Sequence, residues 1–498
     1  MDFVHRLLNI NKKTNSEAHL HVKSDDEIVI CPHETHKKLS PIPRMTVSRS
    51  TILKSELAKT YMEEHFKNII DEANSEITSQ QRLNEYLTKE KFSPEQRRSL
   101  ELNYASRISE FRRMKRKVLR SSQFERIKII GKGEYGDVYL VRDKTDKKIY
   151  AMKIIQKSEL IAKGQLRNTL TEKDLLSRMD SKWSVQLIYA FQDMYSIYFV
   201  MEYLPGGDLL TVLMRRSYLT LEETRFYIAE TLLAIREVHS LGYIHRDIKP
   251  DNILLTKEGH IRLSDYGLST PLHRDENFIT ILDEVEDVCR DPNSEPKEQP
   301  LKSNHKRGAI TSTVGTPDYI APEVLLKKPY GPEVDLWSLG AIMYEMLYGQ
   351  PPYLADTPHD TAVNIIHWKS TLIFPKIKEV SPEAVDLMKH LLCNSKRRFT
   401  IEDCMKHPFF KEIDFDKISE STPPIIPSVD SETDTQNFDE FEPRELLPEE
   451  ETKDDVISLA FTGFKFDRNV ARNSFPQNLE PEILTDSLVT QQFRSYPL

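Results

Sequence analysis

The stretch "HRDIKPDN", residues 245 to 252, places an aspartate, a lysine and an asparagine close together in the chain. Asp247 can accept the proton of a hydroxyl group and orient its oxygen, as a general base does. Lys249 can neutralise negative charge on a group in transfer, and Asn252 can bind a metal ion. These residue types at this spacing predict a catalytic loop.

The sequence after this loop adds to the pattern. Thirteen residues beyond Asn252, "DYG" supplies Asp265, a carboxylate that can hold magnesium against phosphates. The triplet "APE" follows at residues 321 to 323. A purely structural role does not account for this ordered set, so the sequence predicts an enzyme.

Upstream lies a glycine-rich stretch, "GKGEYGDV", at residues 131 to 138. Glycines let the backbone approach phosphates without a side-chain clash. Glycine-rich hairpins are common, so the stretch is weak evidence by itself. It joins two predicted strands, unlike the strand-to-helix loop of a Rossmann fold, and this context favours a loop over nucleotide phosphates.

A lysine and a glutamate complete the pattern. Lys153 ends "YAMK" within a predicted strand. Such a lysine usually extends to solvent, whereas in a nucleotide site it would hold the α and β phosphates. Glu172, in the next predicted helix, is either an exposed acid or the partner of Lys153. The glycine-rich stretch favours the pair.

The composition is that of a globular protein with polar extensions. Charged residues make up 30% of the chain and the formal net charge is −9, which argues against bulk nucleic-acid binding but leaves room for a local basic patch. No run reaches the ~18 apolar residues of a membrane helix, and the N-terminus is a poor secretory signal. The cysteines show neither disulfide nor zinc spacing. We therefore expect a soluble protein in the cytoplasm, with the cell cortex or the nucleus as alternatives.

Two amphipathic helices are predicted ahead of the catalytic region. Residues 1–45 lack periodicity and are expected to be disordered. Apolar residues then recur at helical spacing at Leu53, Leu57 and Tyr61. A second helix begins at "SPEQ", where Ser93 suits the N-cap, and it ends in the basic run "RRMKRKVLR".

Strand patterns then give way to helical ones. Alternating segments such as "DVYLVRD" and "KIYAMKII" predict an antiparallel sheet, and long apolar helices such as "LEETRFYIAETLLAIREVHSLG" follow. Residues 412–458 hold sixteen acidic and three basic residues, which predicts a solvated tail. We expect an α+β fold with a small, mainly β lobe and a large, mainly α lobe.

On these motifs, residues 124–411 resemble a eukaryotic protein kinase, and the lysine at 249 is typical of serine/threonine kinases. "FVMEYLPGGDLLTVL", "LSDYGLST" and "STVGTPDYIAPEV" are similar to the NDR/LATS branch of the AGC kinases. The resemblance implies the bilobal kinase fold with flanking regulatory segments. Its divisions are a disordered N-terminus (1–45), a helical co-activator-binding region (46–120), the kinase domain (124–411) with an activation-segment insert (271–308), a C-terminal extension (412–468) and a disordered tail (469–498).

The resemblance implies ATP and Mg²⁺ as cofactors and assigns the site. Its catalytic residues would be Asp247, Lys249, Asn252, Lys153 and Glu172, and its metal ligands Asn252 and Asp265. Met201 would lie behind the adenine, with Glu202 and Tyr203 as the hinge. The full set implied to contact ATP is Ile130, Gly131, Lys132, Gly133, Glu134, Tyr135, Gly136, Asp137, Val138, Ala151, Lys153, Met201, Glu202, Tyr203, Asp208 and Phe438.

Further roles follow from the same resemblance. The substrate groove would be lined by Asp208, Asp251, Glu345 and Thr316, which implies protein substrates with basic residues upstream of the target serine or threonine. Asp335 would brace the catalytic loop, and Glu323 would pair with Arg398. Tyr266 stands where the family usually has phenylalanine, and its hydroxyl is either merely tolerated or regulatory.

Activity is expected to be gated around the activation segment. The insert holds nine acidic and six basic residues with no recognised helical face, whereas the family's insert tends to be basic and inhibitory. Ser312 is the implied phosphoacceptor of an upstream kinase, with Arg246 as the partner of its phosphate. Thr311 and Thr313 are neighbouring alternatives.

The flanks resemble the family's regulatory elements. A Mob-type co-activator would bind the basic helix through Arg112, Arg113, Lys115, Arg116 and Lys117, although a solvated face or a nuclear-import run remains open. In the tail, Phe461, Phe464 and Phe466 would dock on the small lobe. The family's phosphorylated residue between the last two rings is here Lys465, so we expect no phosphate switch there and docking through the aromatic rings.

Two hypotheses follow from the sequence. One is an active serine/threonine kinase in an NDR/LATS-type pathway, and the other is a kinase-fold scaffold acting through its partners. Loss of Lys153, Asp247, Asn252 or Asp265 would favour the scaffold, and all four are present.

Overall fold

The computed structural model describes residues 48–133, 136–272, 276–290, 317–441 and 455–472. The predicted disordered N-terminus lies outside these ranges, as does the tail beyond residue 472. So do six residues with predicted site roles, namely Glu134, Tyr135, Thr311, Ser312, Thr313 and Thr316.

The small lobe is built on an antiparallel sheet of order β1-β2-β3-β5-β4-β10. Its strands are β1 (Phe124–Gly133), β2 (Gly136–Asp143), β3 (Ile149–Gln156), β4 (Leu187–Gln192), β5 (Ser196–Glu202) and β10 (Phe466–Asp467). Lys153 on β3 pairs with Val138 on β2 and with Phe199 on β5. This register places the lysine beside the glycine-rich stretch, in the middle of the sheet.

Two helices precede the sheet, as predicted. They are α1 (Arg49–Lys89) and α2 (Pro94–Arg116). Ser93 and Gln96 form the predicted capping box, in which each side chain accepts the other residue's backbone N–H. The helices pack antiparallel through a small apolar cluster that includes Leu83 and Leu100.

The large lobe is helical. Helices α3 (Lys157–Ala162) and α4 (Leu166–Arg178) belong to the small lobe. They are followed by α5 (Leu209–Arg216), α6 (Leu221–Ser240), α7 (Glu276–Arg290), α8 (Pro322–Leu325), α9 (Glu333–Tyr348), α10 (Pro358–Ile366), α11 (Trp368–Thr371), α12 (Pro382–Leu391) and α13 (Ile401–Met405), with the short strands β6 (Tyr243–Ile244), β7 (Ile253–Leu255), β8 (Ile261–Leu263) and β9 (Thr270–Pro271). Helix α9 is buried along almost its whole length. At Gly340 a Cβ would lie 2.8 Å from Leu391 Cβ, so glycine lets α9 approach α12 closely.

The tail is not simply solvated, and that prediction was wrong for residues 412–441. Ile418 is buried in the large lobe, and the carbonyl of Ile425 lies against Gly259. Asn437 donates to Pro205 O at 3.1 Å and accepts from Arg215 at 2.8 Å. The acidic residues lie between these contact residues, so the count of charges over the whole segment did not reveal the contacts.

The insert also contains a helix that the sequence reading missed. Leu282, Val285 and Val288 on α7 are buried. The helix packs against α1, α3 and α4, and against the tail helix α14 (Asp455–Ala460). The chain's final described helix is α15 (Arg468–Arg472), so the prediction of a disordered tail from residue 469 was wrong for residues 469–472. Among the described residues, no helix has the length and apolar character needed to span a membrane.

Candidate active site

The catalytic loop brings its three predicted side chains together. Asp247 Oδ2 accepts from Asn252 Nδ2 at 3.0 Å and lies 3.1 Å from Lys249 Nζ. Asn252 Nδ2 also donates to the Asp247 backbone carbonyl at 2.8 Å. Because its amide nitrogen is used twice, Asn252 has its oxygen left for a metal ion. Burial lowers the pKa of the Lys249 ammonium, but Asp247, with Asp251 and Asp265, outweighs it, so that the pKa is raised.

Asp335 holds the backbone of this loop in place. Its carboxylate is fully buried and accepts the backbone N–H groups of His245 at 2.9 Å and Arg246 at 2.8 Å. His239 Nε2 lies 2.7 Å from the same carboxylate. Burial opposes ionisation of Asp335, but these hydrogen bonds and the nearby histidines bring its pKa below the usual value. The predicted brace is confirmed.

The small lobe contributes an ion pair to the same cleft. Lys153 Nζ donates to Glu172 Oε1 at 2.8 Å and lies 3.6 Å from Asp265 Oδ1. Burial disfavours the charged lysine, but the two carboxylates outweigh it and raise the pKa of Lys153. Asp265 has a positive φ of 54° and accepts from Gly267 N at 3.3 Å. The strands and α4 thus place one cation between two predicted functional acids.

The side of the cleft where the family resemblance places the adenine is apolar. Ile130, Ala151 and Val138 cluster with Tyr203 and Phe438, and the rings of the last two are 5.8 Å apart and stacked. The tail therefore packs against Tyr203, which the family resemblance places beside the adenine. Of the remaining predicted ATP contacts, Gly131, Lys132, Gly133, Gly136 and Asp137 lie on β1 and β2, and Met201 and Glu202 lie on β5.

The predicted groove acids have different environments. Asp208 is the N-cap of α5 and accepts from Thr211 N at 2.6 Å, so it also has a structural role. Glu345 accepts from the Tyr319 hydroxyl at 2.5 Å. Burial raises the pKa of Glu345 to about 7, with Asp318 and Asp251 adding to the effect against the Tyr319 bond. This carboxyl therefore titrates near neutral pH.

Three further predictions concern the activation segment. Arg398 and Glu323 form the expected pair, with nitrogen–oxygen distances of 2.6 and 3.2 Å. Tyr266 is buried, and its hydroxyl donates to Leu263 O at 3.1 Å. That satisfied bond supports a tolerated hydroxyl. Arg246, the expected partner of a phosphate on Ser312, donates to Leu268 O and Tyr330 Oη.

The tail aromatics dock on the small lobe as predicted. Phe461 and Phe464 are buried, and the Phe464 ring meets Phe199 edge to face at 5.5 Å. Phe466 is half-buried in β10, which extends the sheet by pairing with β4. Full burial of such a ring contributes about 1.5–3 kcal/mol before the cost of ordering the tail.

Lys465 makes a contact that the sequence reading did not foresee. Its ammonium donates to the carbonyls of Lys115 at 3.0 Å and Lys117 at 2.5 Å, at the C-terminal end of α2. A cation is favourable there because the last carbonyls of a helix lack partners within it. The tail is thus attached by this lysine as well as by the rings.

Arg468 is a second residue that sequence reasoning missed. It is buried and donates to the carbonyls of Leu187, Leu176 and Ser177. Its position directly after the aromatic residues was the available signal, but arginines in polar tails are usually solvated.

Asp386, His390 and His407 form another cluster with metal-ligand chemistry. His407 Nδ1 accepts from Phe409 N at 3.2 Å, so the neutral ring carries its proton on Nε2, which lies 3.1 Å from Asp386 Oδ2. A metal at Nε2 would force Nδ1 to carry a proton against that N–H group. A hydrogen-bond network therefore explains the cluster.

Comparisons with known proteins agree with this site. A model of the protein kinase domain matches residues 124–410. The chain belongs to the protein kinase family, and its phosphoryl-transfer activity uses ATP and a divalent metal.

Its relatives narrow the class to serine/threonine kinases of the NDR/LATS type. The serine/threonine-protein kinase tricornered of Drosophila melanogaster is 40% identical over 79% of this chain and 88% of its own length. Sax-1 of Caenorhabditis elegans is 39% identical over 81% of this chain and 87% of its own. CBK1 of Candida albicans is 40% identical over 79% of this chain and 57% of its own. The predicted fold class and enzyme class are confirmed.

Proposed function

We propose that this kinase transfers the γ-phosphoryl group of ATP, with Mg²⁺, to serine or threonine residues preceded by basic residues, in a pathway that controls morphogenesis or cell division. The observation that carries the proposal is the bonded set of Asp247, Lys249 and Asn252. It is joined by the Lys153–Glu172 pair, whose lysine also lies 3.6 Å from Asp265. The cytoplasmic location expected from the sequence stays a prediction.

Each residue has a task that its contacts suit. Asp247 accepts the proton of the substrate hydroxyl, and Lys249 stabilises the negative charge that develops during transfer. Lys153, kept charged by Glu172, binds the nucleotide phosphates. Asp265 and Asn252 offer the oxygen ligands that Mg²⁺ prefers, and the metal neutralises phosphate charge when bound.

The proposed preference for basic substrates is tested best by measuring how KM depends on pH. The carboxyl of Glu345, with a pKa of about 7, gains its negative charge as pH rises from 6 to 8. KM for a peptide with upstream arginines should therefore fall by up to about tenfold over that range, following the ionised fraction. Steady-state assays with labelled ATP measure this.

The control for that assay is Glu345→Gln, which removes the titrating group and keeps the side-chain shape. Its KM should vary far less between pH 6 and 8. An equally steep profile in the variant would assign the effect to another group and contradict the role of Glu345.

Ser312 is proposed as the activating phosphoacceptor. A phosphate there would carry ~1.5 to 2 negative charges and could pair with Arg246, which orders the segment. Ser312→Ala should therefore lose most activity, measured after treatment with an upstream kinase. Thr311→Ala and Thr313→Ala are the matched controls, and wild-type turnover in Ser312→Ala would refute the assignment.

A Mob-type co-activator is proposed to bind α1 and α2. Arg112 and Lys115 already pair with Glu76 and Glu72 of α1, so the expectation that the whole basic run meets a partner needs revision. Helix α1 also exposes a stripe of apolar side chains at helical spacing. Its members are Met62, Phe66, Ile69, Ile70 and Ile77.

Exposed apolar stripes of this kind mark protein interfaces. Phe66→Asp with Ile70→Asp should abolish co-purification with the co-activator, because charges enter the centre of the apolar stripe. Arg112→Glu should have a smaller effect and should mainly disturb the α1–α2 contact through Glu76. Undiminished binding by the double variant would contradict the proposed surface.

A further inference from the structure

Helix α4, which carries Glu172, has a weak N-terminus of its own. Its N-cap residue, Gln165, makes no capping bond to the backbone, and its first turn contains no acid. The first N–H groups of a helix have no partner inside it, and they carry partial positive charge. An acceptor for the first N–H groups of α4 therefore has to come from elsewhere in the chain or from solvent.

The insert supplies one such group. Glu286 on α7 accepts the backbone N–H of Leu166, the first residue of α4, at 2.7 Å. Helix α7 is held in place by Leu282 and Val285, which are buried in the same core as Leu166. A carboxylate on a packed helix thus lies at the positive end of α4.

The tail supplies the opposite group at the other end. Arg468 donates to Leu176 O at 2.8 Å and Ser177 O at 3.4 Å, both in the last turn of α4, and to Leu187 O on β4 at 2.9 Å. A guanidinium with fixed geometry can serve several carbonyls at once. A cation at the C-terminus of a helix also complements its dipole.

We propose that Glu286 and Arg468 are positioning residues that hold α4 from its two ends and keep Glu172 beside Lys153. The acidic insert then supports the active arrangement. This inference rests on the proposed role of the Lys153–Glu172 pair in binding ATP. In this proposal the insert and the tail both act on α4, which lies between them.

The test of the N-terminal contact uses Glu286→Ala, with Glu284→Ala on the same helix as matched control. Losing a helix cap of ordinary strength shifts the equilibrium between the formed and the frayed helix end by about fivefold. Glu286→Ala should therefore raise hydrogen exchange at the Leu166 amide. It should also lower kcat/KM by about fivefold, and most of that decrease should come from a higher KM for ATP. Glu284→Ala should leave both close to wild type.

A rescue experiment distinguishes loss of helix positioning from a general loss of folding in Glu286→Ala. Gln165→Asp places a local acceptor at the N-cap of α4 and should restore part of the activity and exchange protection in the Glu286→Ala background. Unchanged exchange in Glu286→Ala would overturn the inference, and so would a rise in its activity, which would make the insert inhibitory.

Arg468→Lys tests the other end. It keeps the charge but not the planar fork, so exchange should rise in the last turn of α4 and kcat/KM should fall by severalfold. Wild-type exchange and activity would contradict the role of Arg468. If the wild-type protein transferred no phosphate, the proposed function would fail, while the exchange measurements would still test the two contacts.

Discussion

Replacing Asp247 with asparagine is expected to lower kcat by about 10²- to 10⁴-fold, the usual contribution of a positioned general base. The asparagine can still accept from Asn252 and Lys249 through its oxygen, so the loop should keep its shape. It lacks the charge to take the substrate proton. Affinity for ATP should change little, because Lys153 and Asp265 lie on other elements.

The measurement is transfer of labelled phosphate to a basic peptide, with ATP binding followed separately. Glu258→Gln, an exposed acid in the turn between β7 and β8, is the matched control and should behave like wild type. If Asp247→Asn kept activity close to wild type, another group would be the base. The assigned role of the catalytic loop would then be wrong.

Replacing Arg398 with methionine is expected to reduce the free energy of unfolding by about 3–5 kcal/mol, the usual cost of breaking a buried ion pair. The side chains of Arg398 and Glu323 are 0% and 9% exposed. Arg398 also donates to Glu333 O at 2.8 Å and Cys393 O at 2.9 Å. Its removal leaves a carboxylate buried without its cation.

Urea unfolding measures the loss. The double variant Glu323→Gln with Arg398→Met should recover part of it, because the stranded charge is gone. Arg397→Met, at the exposed neighbouring position, should change stability by less than about 0.5 kcal/mol. Equal stability of Arg398→Met and wild type would show that the pair contributes nothing.

The sequence predicted the site well where short motifs fix local geometry. Asp247, Lys249 and Asn252 lie within one loop, and their contacts follow from its spacing. The pairs Lys153–Glu172 and Glu323–Arg398 join distant segments. The first was predicted from the lysine together with the glycine-rich stretch, and the second only through the family resemblance, because periodicity alone does not tell which elements meet.

The insert shows why other features were missed. Its apolar residues Leu282, Val285 and Cys289 recur at helical spacing. The many acids around them led to the prediction of an insert without a helical face. The helix is stabilised by burying that face against α1 and α4, and such a partner is not visible locally. The tail at 412–441 was misjudged for the same reason.

The sequence by itself determined the catalytic chemistry, the two-lobed fold and the absence of a phosphate acceptor at position 465. The tertiary structure decided what Lys465, Arg468 and Glu286 do, since each binds backbone groups of a segment far away in the chain. Every residue carries such groups, so they leave no mark in the sequence. Only folding selects which helix ends a charged side chain reaches.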